Sequence, residues 1–144
     1  MKRISLLLIF SVAACAANSL LATSVAKQKG NSSIAGIIQY PEKTIPAMQV
    51  CALNTQTQAT SCVKTRAGQT QYFIKALPAA DYYILANLVQ VPLKVGGHMV
   101  LVQCIRAPCP ALLKEVSVAP KQALSNINLN GFYDSREDFP VLSK

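Results

Sequence analysis

Past residue 33 the chain reads as short apolar runs broken by turn residues every eight to twelve positions. The runs fall at 34–40, 48–53, 60–66, 70–77, 82–89, 98–103, 114–119 and 126–130. Between them stand Pro41-Glu42-Lys43, Arg66-Ala67-Gly68, Pro78-Ala79-Ala80-Asp81, Gly96-Gly97, Pro108 with Pro110, and Pro120-Lys121. Glycine and proline punctuate, and the runs between them are too short for helices. This rhythm predicts an all-β sandwich or barrel. The run Tyr82-Tyr83-Ile84-Leu85-Ala86-Asn87-Leu88-Val89 is apolar on both faces, as a central strand would be. Residues 71–77 are expected to pair with it across the Pro78–Asp81 turn. In 126–130, Ile127 and Leu129 alternate with three asparagines, which predicts a half-exposed last strand.

The N-terminus follows a different pattern. Lys2 and Arg3 precede an apolar stretch from Ile4 to Ala17, and Ser24-Val25-Ala26 has the small-x-small form of a signal peptidase site. The apolar stretch is short for a membrane span, which needs about 20 residues. Residues 1–26 are therefore expected to be a signal peptide and 27–33 a flexible lead-in. A β-sandwich domain is expected over 34–131 and a C-terminal tail over 132–144. Val12-Ala13-Ala14-Cys15 offers a rival, a bacterial lipobox that would lipidate Cys15. A permanent N-terminal anchor is the third alternative. Each predicts export, to the periplasm, the outer membrane or the extracellular space. The membrane is a partner only through a lipidated Cys15.

Export gives the cysteines their meaning. Cys51, Cys62, Cys104 and Cys109 survive either cleavage, and an even count in an oxidising compartment predicts two disulfides. Four cysteines allow three connectivities. Local geometry favours Cys51–Cys62 and Cys104–Cys109. Folding 47–53 onto 60–66 about Thr55-Gln56-Thr57-Gln58 puts Cys51 opposite Cys62. Opposed residues in such a pair lie about 4.5–5.5 Å apart, within disulfide reach. On that register Met48, Val50, Ala52 and Val63 share the apolar face. The cysteine spacings do not match C-x2-C zinc knuckles, so no metal is expected.

Two segments resemble a known family. Ile34-Ala35-Gly36-Ile37-Ile38-Gln39-Tyr40-Pro41 is similar to the opening Ile-x-Gly-x-Ile/Val strand of carboxypeptidase regulatory-like (transthyretin-like, prealbumin-like) domains. Leu77-Pro78-Ala79-Ala80-Asp81-Tyr82-Tyr83-Ile84-Leu85-Ala86 resembles their Leu-Pro-x-Gly-x-Tyr-x-Val-x-Ala hairpin. The resemblance spans about residues 34–130. It implies a Greek-key β-sandwich of about seven strands, in a family of mostly non-catalytic modules for binding, adhesion or support. Ala80 stands where the family has glycine, so that turn must avoid the left-handed region or bear strain.

The remaining chemistry is sparse. Net charge is +8, falling to +6 without Lys2 and Arg3, and the basic residues are scattered; this predicts solubility rather than nucleic-acid binding. His98 is the single histidine and is expected at the surface beside a turn. Transthyretin-like hydrolases use several histidines and a C-terminal motif that this chain lacks. Asp134, Glu137 and Asp138 are expected in a solvated tail with Arg136, without EF-hand spacing. Asn31-Ser32-Ser33 is a glycosylation sequon only in a eukaryotic source, and the lipobox-like stretch argues for a bacterial one.

Joining Cys104 to Cys109 would present Ile105, Arg106, Ala107 and Pro108 on a closed loop with Arg106 available to an acidic pocket. The expected function is a non-catalytic binding or structural module of the envelope or extracellular space, with a protein or envelope glycan as partner and no cofactor. The alternative is a serine-protease inhibitor presenting Arg106.

Overall fold

The computed structural model describes residues 29–90, 94–100, 112–134, 139, 140 and 142. These residues form strands and no helix, so the all-β expectation holds. Cys15 and the segment 101–111, with Cys104, Cys109 and Ile105 to Pro108, lie outside the described residues.

Eleven strands are found among them: β1 (Ser32–Ile37), β2 (Met48–Asn54), β3 (Thr60–Lys64), β4 (Gln71–Leu77), β5 (Ala80–Leu88), β6 (Lys94–Gly97), β7 (Met99–Val100), β8 (Leu112–Leu113), β9 (Val116–Val118), β10 (Ala123–Leu124) and β11 (Gly131–Asp134). A three-stranded sheet has the order β10-β1-β4. A six-stranded sheet has the order β11-β6-β5-β2-β3, with β9 also on β5. β7 and β8 form a separate hairpin. Ile34, Tyr72, Ile74 and Leu77 of the smaller sheet share one core with Met48, Val50, Ala52, Tyr82, Ile84 and Ala86 of the larger. Alternate residues of β2 and β5 turn the other way. Leu53 and Leu85 form a second buried cluster with Met99 and Phe139. The doubly apolar run at 82–89 is thereby explained, because β5 is covered on both faces and paired on both edges.

Met48, Val50 and Ala52 face the main core and Val63 packs against it, as the β2–β3 register requires. Asn54 closes that hairpin: its side-chain oxygen accepts hydrogen bonds from the backbone N–H of Gln56 and Thr57. Gln58 completes the turn at φ 60°.

The strand pairing departs from expectation in four places. First, β4 does not pair with β5. It pairs antiparallel with β1, while β5 pairs with β2, β6 and β9. The Pro78-Ala79 link therefore crosses from one sheet to the other. Pairing by β1 and by β2 and β6 outweighs the short loop between β4 and β5. Ala80 opens β5 without a left-handed conformation; that conformation falls on Ala76, φ 61°, where the β1–β4 register shifts. A bulge with a non-glycine residue in this region carries a local cost.

Second, Gly96-Gly97 is strand and not turn. A side chain at Gly96 would meet the Phe132 ring, directly across the ladder, at 2.4 Å. The glycine is there to let the ring lie close. Third, the strand expected at 126–130 is displaced. Asn126 adopts φ 62°, and the last strand is β11, which runs from the last residue of the expected domain into the expected tail. Residues 127–129 still run beside β1, with Ile127 N–H donating to Ala35 O and Leu129 N–H to Ile37 O. Phe139 is buried as well, so the expected tail contributes to the second cluster. Fourth, Ser32 belongs to β1 and not to a lead-in; its hydroxyl is buried and donates to Ala119 O at 2.8 Å.

Tyr72 ties the smaller sheet to the 127–129 segment, its hydroxyl donating to Ile127 O. Burial pushes its phenol well above the usual range. A raised phenol pKa means stability that is present below about pH 10 and lost as pH rises beyond it, because unfolding releases the proton more readily. Tyr72→Phe should cost about 1 kcal/mol at pH 7 through the lost hydrogen bond. In urea titrations the gap to wild type should close between pH 8 and pH 11. A gap independent of pH would show that Tyr72 does not govern alkaline unfolding.

Candidate functional site

His98 is not at the surface. It is 9% exposed and sits where the chain leaves β6 for β7. Its backbone N–H donates to Ile84 O at 2.9 Å and its carbonyl accepts from Lys114 N–H at 2.8 Å. Nδ1 lies 2.7 Å from Asn128 O. A carbonyl only accepts, so Nδ1 carries the proton and the ring is held as a structural donor. The neighbouring Gly97 keeps the backbone close enough to β5 for these bonds.

Two of the four described acids are similarly engaged. Asp81, at the start of β5, accepts from the Ser117 hydroxyl of β9 at 2.6 Å. Glu42 takes a hydrogen bond from Lys94 Nζ at 3.1 Å. Among the described residues no group of three histidine, cysteine, aspartate or glutamate side chains is placed to hold a metal.

Cys51 and Cys62 form a disulfide with Cα atoms 4.0 Å apart. Met48/Thr65 and Asn54/Ala59 are hydrogen-bonded pairs of the ladder, as Thr65 N–H donates to Met48 O and Asn54 N–H to Ala59 O. Three residues from either, Cys51 and Cys62 occupy a non-hydrogen-bonded pair, where opposed chains approach most closely. Cys51 is fully buried, and Cys62 is exposed on β3 at the edge of the larger sheet. β7 and β8 pair Met99 with Leu113 and Val100 with Leu112, the described residues that flank 101–111. Met99 is buried in the second cluster.

A concavity among the described residues lies elsewhere. It is a cavity of about 270 Å³ open to solvent, lined by Tyr40, Pro41, Lys94, Phe132, Tyr133 and Asp134. Tyr40 follows β1 and is held beside β11 by Gln39 N–H donating to Leu129 O. Its ring meets that of Phe132 edge-on, centroids 5.0 Å apart and planes at 79°. Lys94 and Asp134 are direct cross-strand partners. The Glu42 carboxylate, first by hydrogen bond and then by charge, holds the Lys94 ammonium pKa above its usual range, with smaller contributions from Tyr40 and Asp134. None of these six residues stood out in the sequence as a set. Tyr40 and Phe132 are far apart along the chain and meet only through the β11–β6 pairing and the Leu129 bridge to Ile38. Comparison with known protein families, curated proteins and solved structures returns no match to this chain.

Proposed function

We propose that the chain is a non-catalytic module of the cell envelope or extracellular space, exported by its N-terminal segment and binding or supporting a protein or glycan partner. The observation that carries this reading is the employment of the reactive side chains. The one histidine donates to a backbone carbonyl, and Asp81 is bonded to Ser117 across two strands. Both groups are spent on holding strands together. The Cys51–Cys62 disulfide is compatible with an oxidising compartment. The resemblance to carboxypeptidase regulatory-like domains supports the same reading, and the Arg106 inhibitor alternative turns on residues outside the described ones.

Expression of the full chain in a bacterial host, followed by fractionation and intact-mass measurement with and without reduction, tests the proposal. The expected product is found in the envelope or medium, processed near Ala26 or at Cys15, and oxidised. A cytosolic, unprocessed product with free thiols overturns the export part. A chemical turnover abolished by His98→Gln in a folded variant overturns the non-catalytic part.

A further inference from the structure

We propose that the aromatic corner between Tyr40 and Phe132 is a saccharide site that takes one neutral or amino pyranose of a glycan. This rests on the binding-module reading above and names its ligand class.

The two sheets have unequal widths. The smaller has three strands and the larger six, and β6 and β11 stand at one margin of the larger. There the covering layer is the Tyr40-Pro41 segment instead of a strand, and a recess is left. Side chains two apart on a strand share a face. Lys94 therefore lies on the face of Gly96, and Asp134 on the face of Phe132. Gly96 and Phe132 are cross-strand partners, so all four positions line the same side of the ladder. That side carries the Phe132 ring over Gly96, the Tyr40 ring set nearly perpendicular to it, and a rim of Lys94 and Asp134, with Glu42 bonded to the Lys94 ammonium.

A pyranose ring has the matching chemistry. Its C–H face is apolar and suits an aromatic wall, and its hydroxyls both donate and accept. The Asp134 carboxylate accepts from vicinal hydroxyls and the Lys94 ammonium donates to a ring or hydroxyl oxygen, as charge-assisted hydrogen bonds. The recess is lined about equally by apolar and polar surface, and convergent polar groups set against aromatic walls are what orient a small ligand. The volume of about 270 Å³ suits one sugar residue rather than a buried chain, and the open side leaves room for the rest of a glycan. Glu42 offsets the Lys94 charge, which leaves Asp134 as the uncompensated charge of the recess. Uronic acids, sialic acids and phosphorylated sugars are thereby disfavoured, and an amino sugar is favoured.

The mature protein, uniformly labelled with nitrogen-15, is titrated by NMR with oligomers of glucose, glucosamine and N-acetylglucosamine. A uronic-acid oligomer and a simple diamine serve as comparison ligands. The expected result is a saturable shift of the amides of Tyr40, Lys94, Gly96 and Asp134 with at least one neutral or amino sugar, and weaker binding of the uronic acid. Asp134→Asn, an exposed change, should weaken that binding roughly tenfold, the equivalent of one charge-assisted hydrogen bond. Tyr40→Leu, checked for an otherwise unchanged spectrum, should abolish it. Saccharides that leave these amides unmoved, shifts confined to another face, a diamine that outcompetes every sugar, or an Asp134→Asn variant binding as wild type would each overturn the assignment. A corner that ignores sugars on a chain that is exported and processed sinks this inference alone, whereas a cytosolic, unprocessed chain sinks the export reading whatever the corner binds.

Discussion

Removing the Cys51–Cys62 bridge, as Cys51→Ala with Cys62→Ser, should lower the unfolding free energy by about 3 kcal/mol. The magnitude comes from the unfolded chain. A bridge across a sequence separation of 11 closes a short loop, and opening that loop returns its configurational entropy to the denatured ensemble. The native side of the balance changes little. Cys51 becomes alanine in a fully buried position, and the Cys62 side chain is exposed. β2 remains held on its other edge by seven residue pairs with β5, so β3 should fray before β2 does. Urea denaturation of the bridged and unbridged proteins reads the effect as a shift of midpoint. Hydrogen exchange should lose protection first at Thr60–Lys64. A loss below about 1 kcal/mol would mean that the turn built on Asn54 already restricts the unfolded hairpin as strongly as the sulfur bridge does.

Ile84→Ala should cost about 3–4 kcal/mol. Ile84 is fully buried in the middle of β5, facing the smaller sheet. β2 binds one edge of its strand. The other edge carries the β6 and β9 pairings, with His98 N–H bonded to Ile84 O between them. A site fixed in this way cannot collapse onto the missing methyl groups, so the cavity term stays near its full value. Phe73→Ala is the control: Phe73 is 55% exposed on the outer face of the smaller sheet and should cost well under 1 kcal/mol beyond its small change in strand preference. Thermal or urea unfolding of the two variants measures the contrast. Equal losses would place the structural centre of the protein somewhere other than the interface between the two sheets.

Local sequence determined a good deal. The alternation of Met48, Val50 and Ala52 set which face of β2 meets the main core, and with the polar turn it placed Cys51 against Cys62. A one-residue slip would have turned every one of those side chains away from the main core, so the register was legible without coordinates. The doubly apolar Tyr82–Val89 run likewise marked the central strand. These inferences succeed because period-two burial is a property of neighbouring residues on one strand.

What lay beyond sequence was partner choice between distant strands. The short Pro78-Ala79 link invites a hairpin of β4 with β5, yet β4 lies beside β1, some forty residues away in the chain. Gly96-Gly97 reads as a turn until Phe132 is seen lying across it, and His98 reads as surface until Asn128 supplies the carbonyl that its ring needs. The recess at Tyr40 and Phe132 exists because two sheets of unequal width face each other, and no single strand records its partner's width. Side-chain alternation is written locally. The pairing of sheets is decided by total burial and hydrogen bonding over the whole chain, which only the folded arrangement sums.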